Sequence, residues 1–379
     1  MAIKYISTAF LTFTIVAGLA AVHPSQKVTE ESGVSSRCWD YDAGLSPETG
    51  LVSDGQNLYF AAEGGRIASI ETANGKSSWT ADLGGRAISN VLVRELDVVA
   101  VTGAFDNSGR LNGSTLRSLS KATGIVNWSA PLTPSERYFL GATGSGIIAV
   151  SAEGSVGLFR SNGEDLIWKR PAAGKISAPP FVSEQNVIVS LASGKTQVLS
   201  TSDGTLRSNV SLAIPAVSQS VAGEKLLISG DGRGNLVAHE LSSGSREWKF
   251  KAGAGWNYIR DTKYGVAAIS ADNFVYMISP DRGSIVWKRR LPGRISGAPA
   301  FSDSFTVIAA YGENTAYVIE LQTGRITNLV SLPEKSSFAE SPILISDGSV
   351  AAVTNSGVTL WSFNGCGTNK KAALNVPPR

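Results

Sequence analysis

Two histidines, His23 and His239, and two cysteines, Cys38 and Cys366, are the whole stock of imidazole and thiol groups in a chain of 379 residues. A metal site needing several His ligands cannot be built from them. A Ser-His-Asp arrangement would have to rest on His239 alone, which stands in a strand-like Val-Ala-His-Glu-Leu run with no nucleophile elbow nearby. No catalytic or metal-binding residue is assigned, and no cofactor is called for. The two cysteines instead suit a disulfide, if the fold brings the two ends of the chain together.

The elements that must do so are announced by a repeat. A turn Gly, preceded by small or polar residues, is followed about four residues on by Trp: Gly75 with Trp79, Gly124 with Trp128, Gly163 with Trp168, Gly244 with Trp248 and Gly283 with Trp287. Gly204 and Gly324 continue the series with Ser208 and Asn328 in place of Trp, and Gly365 ends it. Successive turn glycines lie 49, 39, 41, 40, 39, 41 and 41 residues apart. Short apolar, often β-branched runs keep the same beat, among them Leu58 to Phe60, Ile147 to Val150, Val187 to Val189 and Val266 to Ile269. A period of about 40 residues holding some four short strands is the signature of propeller blades, small sheets that bury their apolar faces only against one another. The expectation is an all-β, eight-bladed β-propeller of four-stranded blades, with Trp79, Trp128, Trp168, Trp248 and Trp287 buried between them. The acidic turns Gly230-Asp231-Gly232 and Asp281-Arg282-Gly283 then read as ordinary hairpins.

The eighth repeat breaks off at Gly365, where a Trp-bearing last strand should follow, and Cys38-Trp39-Asp40-Tyr41 supplies such a strand from the other end. An N-terminal strand completing the last blade removes an open edge. It also makes neighbours of Cys38 and Cys366, so a disulfide between them is predicted.

The boundaries expected are a signal peptide over 1–22, a flexible linker over 23–37, one propeller over 38–366 and a tail over 367–379. The signal reading rests on Lys4, a mostly apolar Tyr5 to Val22 and small residues at Gly18 to Ala21. Export agrees with a persistent disulfide. A net charge of +3 gives no argument for nucleic acid or an anionic membrane.

The 49-residue interval places a loop insertion at Gly103 to Ser114, on the face that also carries the connections entering each blade. Those connections repeat a basic pattern: Gly85-Arg86-Ala87-Ile88-Ser89, Gly174-Lys175-Ile176-Ser177 and Gly293-Arg294-Ile295-Ser296. With Trp256, Tyr258 and Arg260 they are expected to form a mixed aromatic and cationic rim around the channel mouth, a composition suited to a protein partner.

The blade motif, best kept at Thr123-Gly124 to Trp128, resembles that of quinoprotein-type propellers over roughly residues 38–366. Within that superfamily the chain is most similar to the BamB-type outer-membrane protein assembly factors. The resemblance implies a non-catalytic scaffold docking on the barrel insertase, acting as a single propeller in the periplasm at the outer membrane. The Gly174 to Pro179 segment is similar to the family's docking loops, which makes Lys175 the leading contact, followed by Arg86 and Arg294. The family's lipid-attachment Cys is replaced by Val22, so membrane association is expected to be indirect, through the partner. A pyrroloquinoline-quinone dehydrogenase is the alternative enzyme reading, without the adjacent cysteine pair often seen there. A eukaryotic secreted or luminal scaffold is a third, hinted at by Asn-x-Ser sequences at Asn112, Asn127 and Asn209.

Overall fold

In every repeat the apolar run becomes the second strand of an antiparallel sheet, buried on both sides because a neighbouring sheet covers each face. Gly146–Ser151 is buried along its whole length, and Asn57–Ala62 nearly so. Outermost strands such as Ser77–Asp82 instead alternate, with Trp79 inward and its neighbours in solvent. The computed structural model describes residues 33–366 apart from 43–46, 164, 296–297, 311–312, 334–336, 339–340, 346–347, 355–356 and 364. The expected signal peptide and tail lie outside the described residues.

Eight such sheets, numbered here as blades 1 to 8 from the sheet beginning at Val52, follow one another along the chain. An apolar cluster fills every interface between consecutive blades, and one joins blade 8 to blade 1 through Ile345, Ala351 and Val353 against Leu58, Phe60 and Ala68. The ring is therefore closed. Its last blade is completed by Ser36–Tyr41, which pairs antiparallel with Gly357–Ser362, Trp39 opposite Leu360 and Tyr41 opposite Val358. Cys38 and Cys366 form a disulfide, their Cα atoms 5.2 Å apart.

The repeated Trp works as a latch. From the outermost strand of one blade its indole N–H donates to a carbonyl of the next: Trp39 to Thr72, Trp79 to Lys121, Trp168 to Thr201, Trp248 to Pro280 and Trp287 to Leu321, at 2.5–2.9 Å. The ring lies against the next blade's turn Gly. At Gly204, with φ +69°, an added Cβ would come within 2.5 Å of the Trp168 ring, so both backbone and space demand glycine. Trp128 packs in the same way on Gly163. Trp79, Trp168 and Trp248 are buried, as expected. Trp128 and Trp287 are only half-buried, because an outermost strand leaves one ring edge at the perimeter.

Two details differ from the sequence expectation. The insertion in blade 2 is mostly strand: Asp97–Phe105 and Leu111–Ser120 lengthen together, leaving a turn at 106–110 pinned by the Asp106 carboxylate. The segment 23–37 is not linker to its end, since Gly33–Val34 adds to the outer edge of blade 7 as a parallel fifth strand and Ser36–Arg37 begins the closing strand. That fifth strand stands opposite Asn328, the position that lacks a latch Trp, and pairs backbone groups an open edge would leave free. At the other Trp-less position the Ser208 hydroxyl donates to Leu241 O at 2.6 Å, keeping the hydrogen bond without the ring.

Candidate functional site: the blade-entry face

Strands alternate in direction, so connections between blades and hairpins joining second to third strands meet at one end of the ring. Hydrogen bonds tie the two sets together, with Leu83 N donating to Gly65 O, Ala172 N to Gly154 O and Leu212 N to Gly194 O. Each connection then runs inward along the next blade. Arg86–Ala87 pairs with Gly103 and Thr102, while Ile176 bridges Leu191 and Ile295 bridges Ala310. Anchoring by the apolar residue that follows leaves each preceding cation in solvent, and Arg86, Lys175 and Arg294 are all exposed.

Their partners were not foreseen. The Arg86 guanidinium lies 4.6 Å from the centre of the Phe105 ring, at the end of the lengthened strand. Lys175 pairs with Glu153 on the neighbouring hairpin at 3.1 Å, and both side chains are more than half exposed. Such an exposed pair contributes less than about 1 kcal/mol, so Lys175 exchanges partners at little cost. The available signal for Phe105 was an apolar run continuing past Val101 into residues that still alternate. No sequence signal marked Glu153.

The aromatic half of the expected rim is corrected. Trp256 is 2% exposed and packs between blades 5 and 6 against Phe250 and Tyr276. Alternation on the innermost strand turns it into the interface, so it is not a surface contact. Tyr258 is half-buried between blades 6 and 7, stacked on Phe301 at 5.7 Å, with the Arg260 guanidinium 5.3 Å from the Phe301 ring centre. Phe301 ends its strand at the turn on the opposite end of the ring, so this trio belongs to the channel side of the interface and not to the entry rim.

On this face Asp272 serves the fold. The Asp272 carboxylate accepts from Gly253 N at 3.0 Å and from the Tyr276 hydroxyl at 2.9 Å. Burial, and then that carboxylate, push the Tyr276 phenol above the usual range, which keeps it a donor. Among the described residues no group of three or more His, Cys, Asp or Glu is placed to hold a metal ion.

The sequence matches the family model described as outer membrane protein assembly factor BamB in three overlapping or successive stretches, residues 27–163, 112–255 and 262–371. The chain belongs to this family. Its fold is similar to the crystal structure of BamB from Moraxella catarrhalis, with a TM-score of 0.63 at 16% identity, covering 86% of this chain and 97% of that one. It is equally similar in kind to the computationally designed Ika8 protein, with a TM-score of 0.69 at 15% identity over 87% of this chain and 99% of that one. At such identities the likeness speaks for the fold alone. No curated protein matches the chain in sequence. Membership of the BamB family thus rests on the family model, and the two solved structures supply the shared propeller architecture.

Proposed function

We propose that this protein is a non-catalytic scaffold of outer-membrane β-barrel assembly, exported to the periplasm and docking through its blade-entry face on the barrel insertase. The observation that carries the reading is the family match over nearly the whole folded chain. The disulfide between the chain's two ends supports export, since such bonds persist in oxidising compartments. Lys175 leads the contact surface because it is exposed and held only by an exposed ion pair. Arg86, presented flat on Phe105, offers a guanidinium and an aromatic ring in one place, the kind of residue pair that anchors interfaces. Arg294 completes the arc on blade 7's entry connection. Val22 in place of a lipid-bearing Cys makes the partner the route to the membrane.

The test is affinity capture from solubilised envelope of the native source, comparing wild type with a Lys175→Glu, Arg294→Glu double variant of unchanged melting temperature. Recovery of the insertase by wild type and its loss in the variant supports both the function and the face. Recovery by neither removes the assembly role, and equal recovery by both removes this face.

A further inference from the structure

The interface between blades 4 and 5 is unlike the others. With Ser208 in the latch position, no indole covers Gly244, and a cleft of about 400 Å³ opens beside that turn. Only six buried apolar side chains pack across this interface. Part of the remaining contact is polar: the Ser190 hydroxyl donates to Gln219 Oε1 at 2.6 Å, and Gln219 Nε2 donates to Pro179 O at 3.0 Å.

The cleft wall comes from one face of blade 5. Ser229 on the second strand pairs with Val237 on the third, and His239 and Val237 pair in turn with Arg246 and Lys249 on the fourth. Strand alternation, together with the bulge beside Ala238 that sets Arg246 opposite His239, turns Ser229, His239, Arg246 and Lys249 to the same side. Ser229 and His239 are 4% and 6% exposed, and neither the Ser229 hydroxyl nor His239 Nδ1 finds a hydrogen-bond partner among the described residues. Native proteins rarely leave such atoms unmatched unless a ligand or water meets them. Burial, and then the neighbouring Arg246, hold the imidazole below its ordinary pKa, so it is neutral at neutral pH.

Arg246 and Lys249 are exposed at the mouth, and neither forms an ion pair with a described residue. The one carboxylate of the lining, Asp231, is already committed to Arg233 N, Asn235 N and the Asn235 side-chain amide at 2.6–2.9 Å. What remains is two free cations, a hydroxyl and an imidazole nitrogen above a floor of Leu212, Ile214 and Val237. The volume is that of a small-molecule site.

We propose that this cleft binds a small organic carboxylate, its anionic group held by Arg246, Lys249 and the Ser229 hydroxyl and its apolar body laid on Leu212, Ile214 and Val237. His239 donates the remaining hydrogen bond to the carboxylate through Nδ1–H. The site lies between blades 4 and 5 and does not depend on the docking reading.

Titration calorimetry of the full chain with benzoate, benzamide and inorganic phosphate tests it, alongside Arg246→Ala, Lys249→Ala and Ser208→Trp variants. Saturable benzoate binding, weakened at least about tenfold in the Arg246→Ala, Lys249→Ala double variant and for benzamide, is expected. Benzoate should also move the His239 imidazole NMR signals. Ser208→Trp restores the ring over Gly244 and should abolish binding while keeping or raising the melting temperature. Absence of saturation up to about 10 mM benzoate overturns the proposal. So does phosphate binding as tightly as benzoate, or unchanged binding in the double variant, whose exposed positions keep the test valid should Ser208→Trp not fold.

Discussion

Removing the disulfide is the sharpest probe of how the ring is held. The bond joins Cys38 to Cys366 across 328 residues, nearly the whole folded chain. In the chain-entropy account, constraining an unfolded loop of that length costs the denatured state about 6 kcal/mol at 25 °C. A compact denatured ensemble already brings chain ends closer, and measured effects rarely pass about 5 kcal/mol, so a loss of about 3–5 kcal/mol is expected. The closing strand keeps its pairing with Gly357–Ser362 and its Trp39 latch to Thr72, so the variant still folds. For a folded unit of this size the loss corresponds to a fall of about 4–7 °C in Tm. Cys38→Ser, Cys366→Ser and their double variant would be compared by urea unfolding and scanning calorimetry, with wild type in reductant as a fourth sample. All four should agree. A double variant within about 1 kcal/mol of oxidised wild type would refute the reasoning, because closure would then be held by strand pairing and blade packing alone.

Other outcomes follow from the latches and the cleft. Trp168→Ala should cost about 3–5 kcal/mol in urea unfolding and Trp168→Phe, which loses mainly the bond to Thr201, about 1–2 kcal/mol. Gly204→Ala, forced against that ring at positive φ, should destabilise by about 1–3 kcal/mol, with equal effects at a turn free of Trp sinking the latch account. His239 has a folded pKa below that of an ordinary imidazole, about 6.5, so the unfolded state binds the extra proton first. Its contribution to stability is full above about pH 6.5 and falls as pH drops toward the folded pKa. His239→Gln should flatten that part of a stability–pH curve, and an unchanged slope would exclude the histidine.

The architecture was legible because its markers act over short distances. A turn glycine and a Trp about four residues on are set by one hairpin and one neighbouring sheet, so spacing alone revealed eight units and the missing last strand. The two Trp-less turns were visible too, but not their consequences: Asn328 brings in a fifth strand, and Ser208 opens a cleft. The second could have been suspected from Ser229 and His239, polar residues at positions where other blades carry Ala149 or Val189 and Phe159 or Leu199. Trp256 misled because an inward-facing Trp on an innermost strand and an exposed rim Trp look alike in sequence. Only the bulge between Trp256 and Tyr258, which turns the first toward blade 5 and the second toward blade 7, separates them. The cations Arg86, Lys175 and Arg294 were legible as an exposed set, whereas Phe105 and Glu153 reach them across hairpins that no local pattern links.

Blade 8 is assembled from strands near opposite ends of the chain, and this has a consequence for biogenesis. During synthesis, blades 1 to 7 acquire all their own strands while blade 8 still has only its N-terminal strand, Ser36–Tyr41, so an unfinished chain is an open arc. Its two terminal blades display the apolar faces of Leu58 and Phe60 at one side and of Val307 and Val318 at the other. Such an arc is prone to stick to its like until residues 343–362 emerge and meet the N-terminal strand. Because only a full-length chain can form the Cys38–Cys366 bond, that bond is a covalent record of completion. Oxidation marks the molecules whose ring has closed.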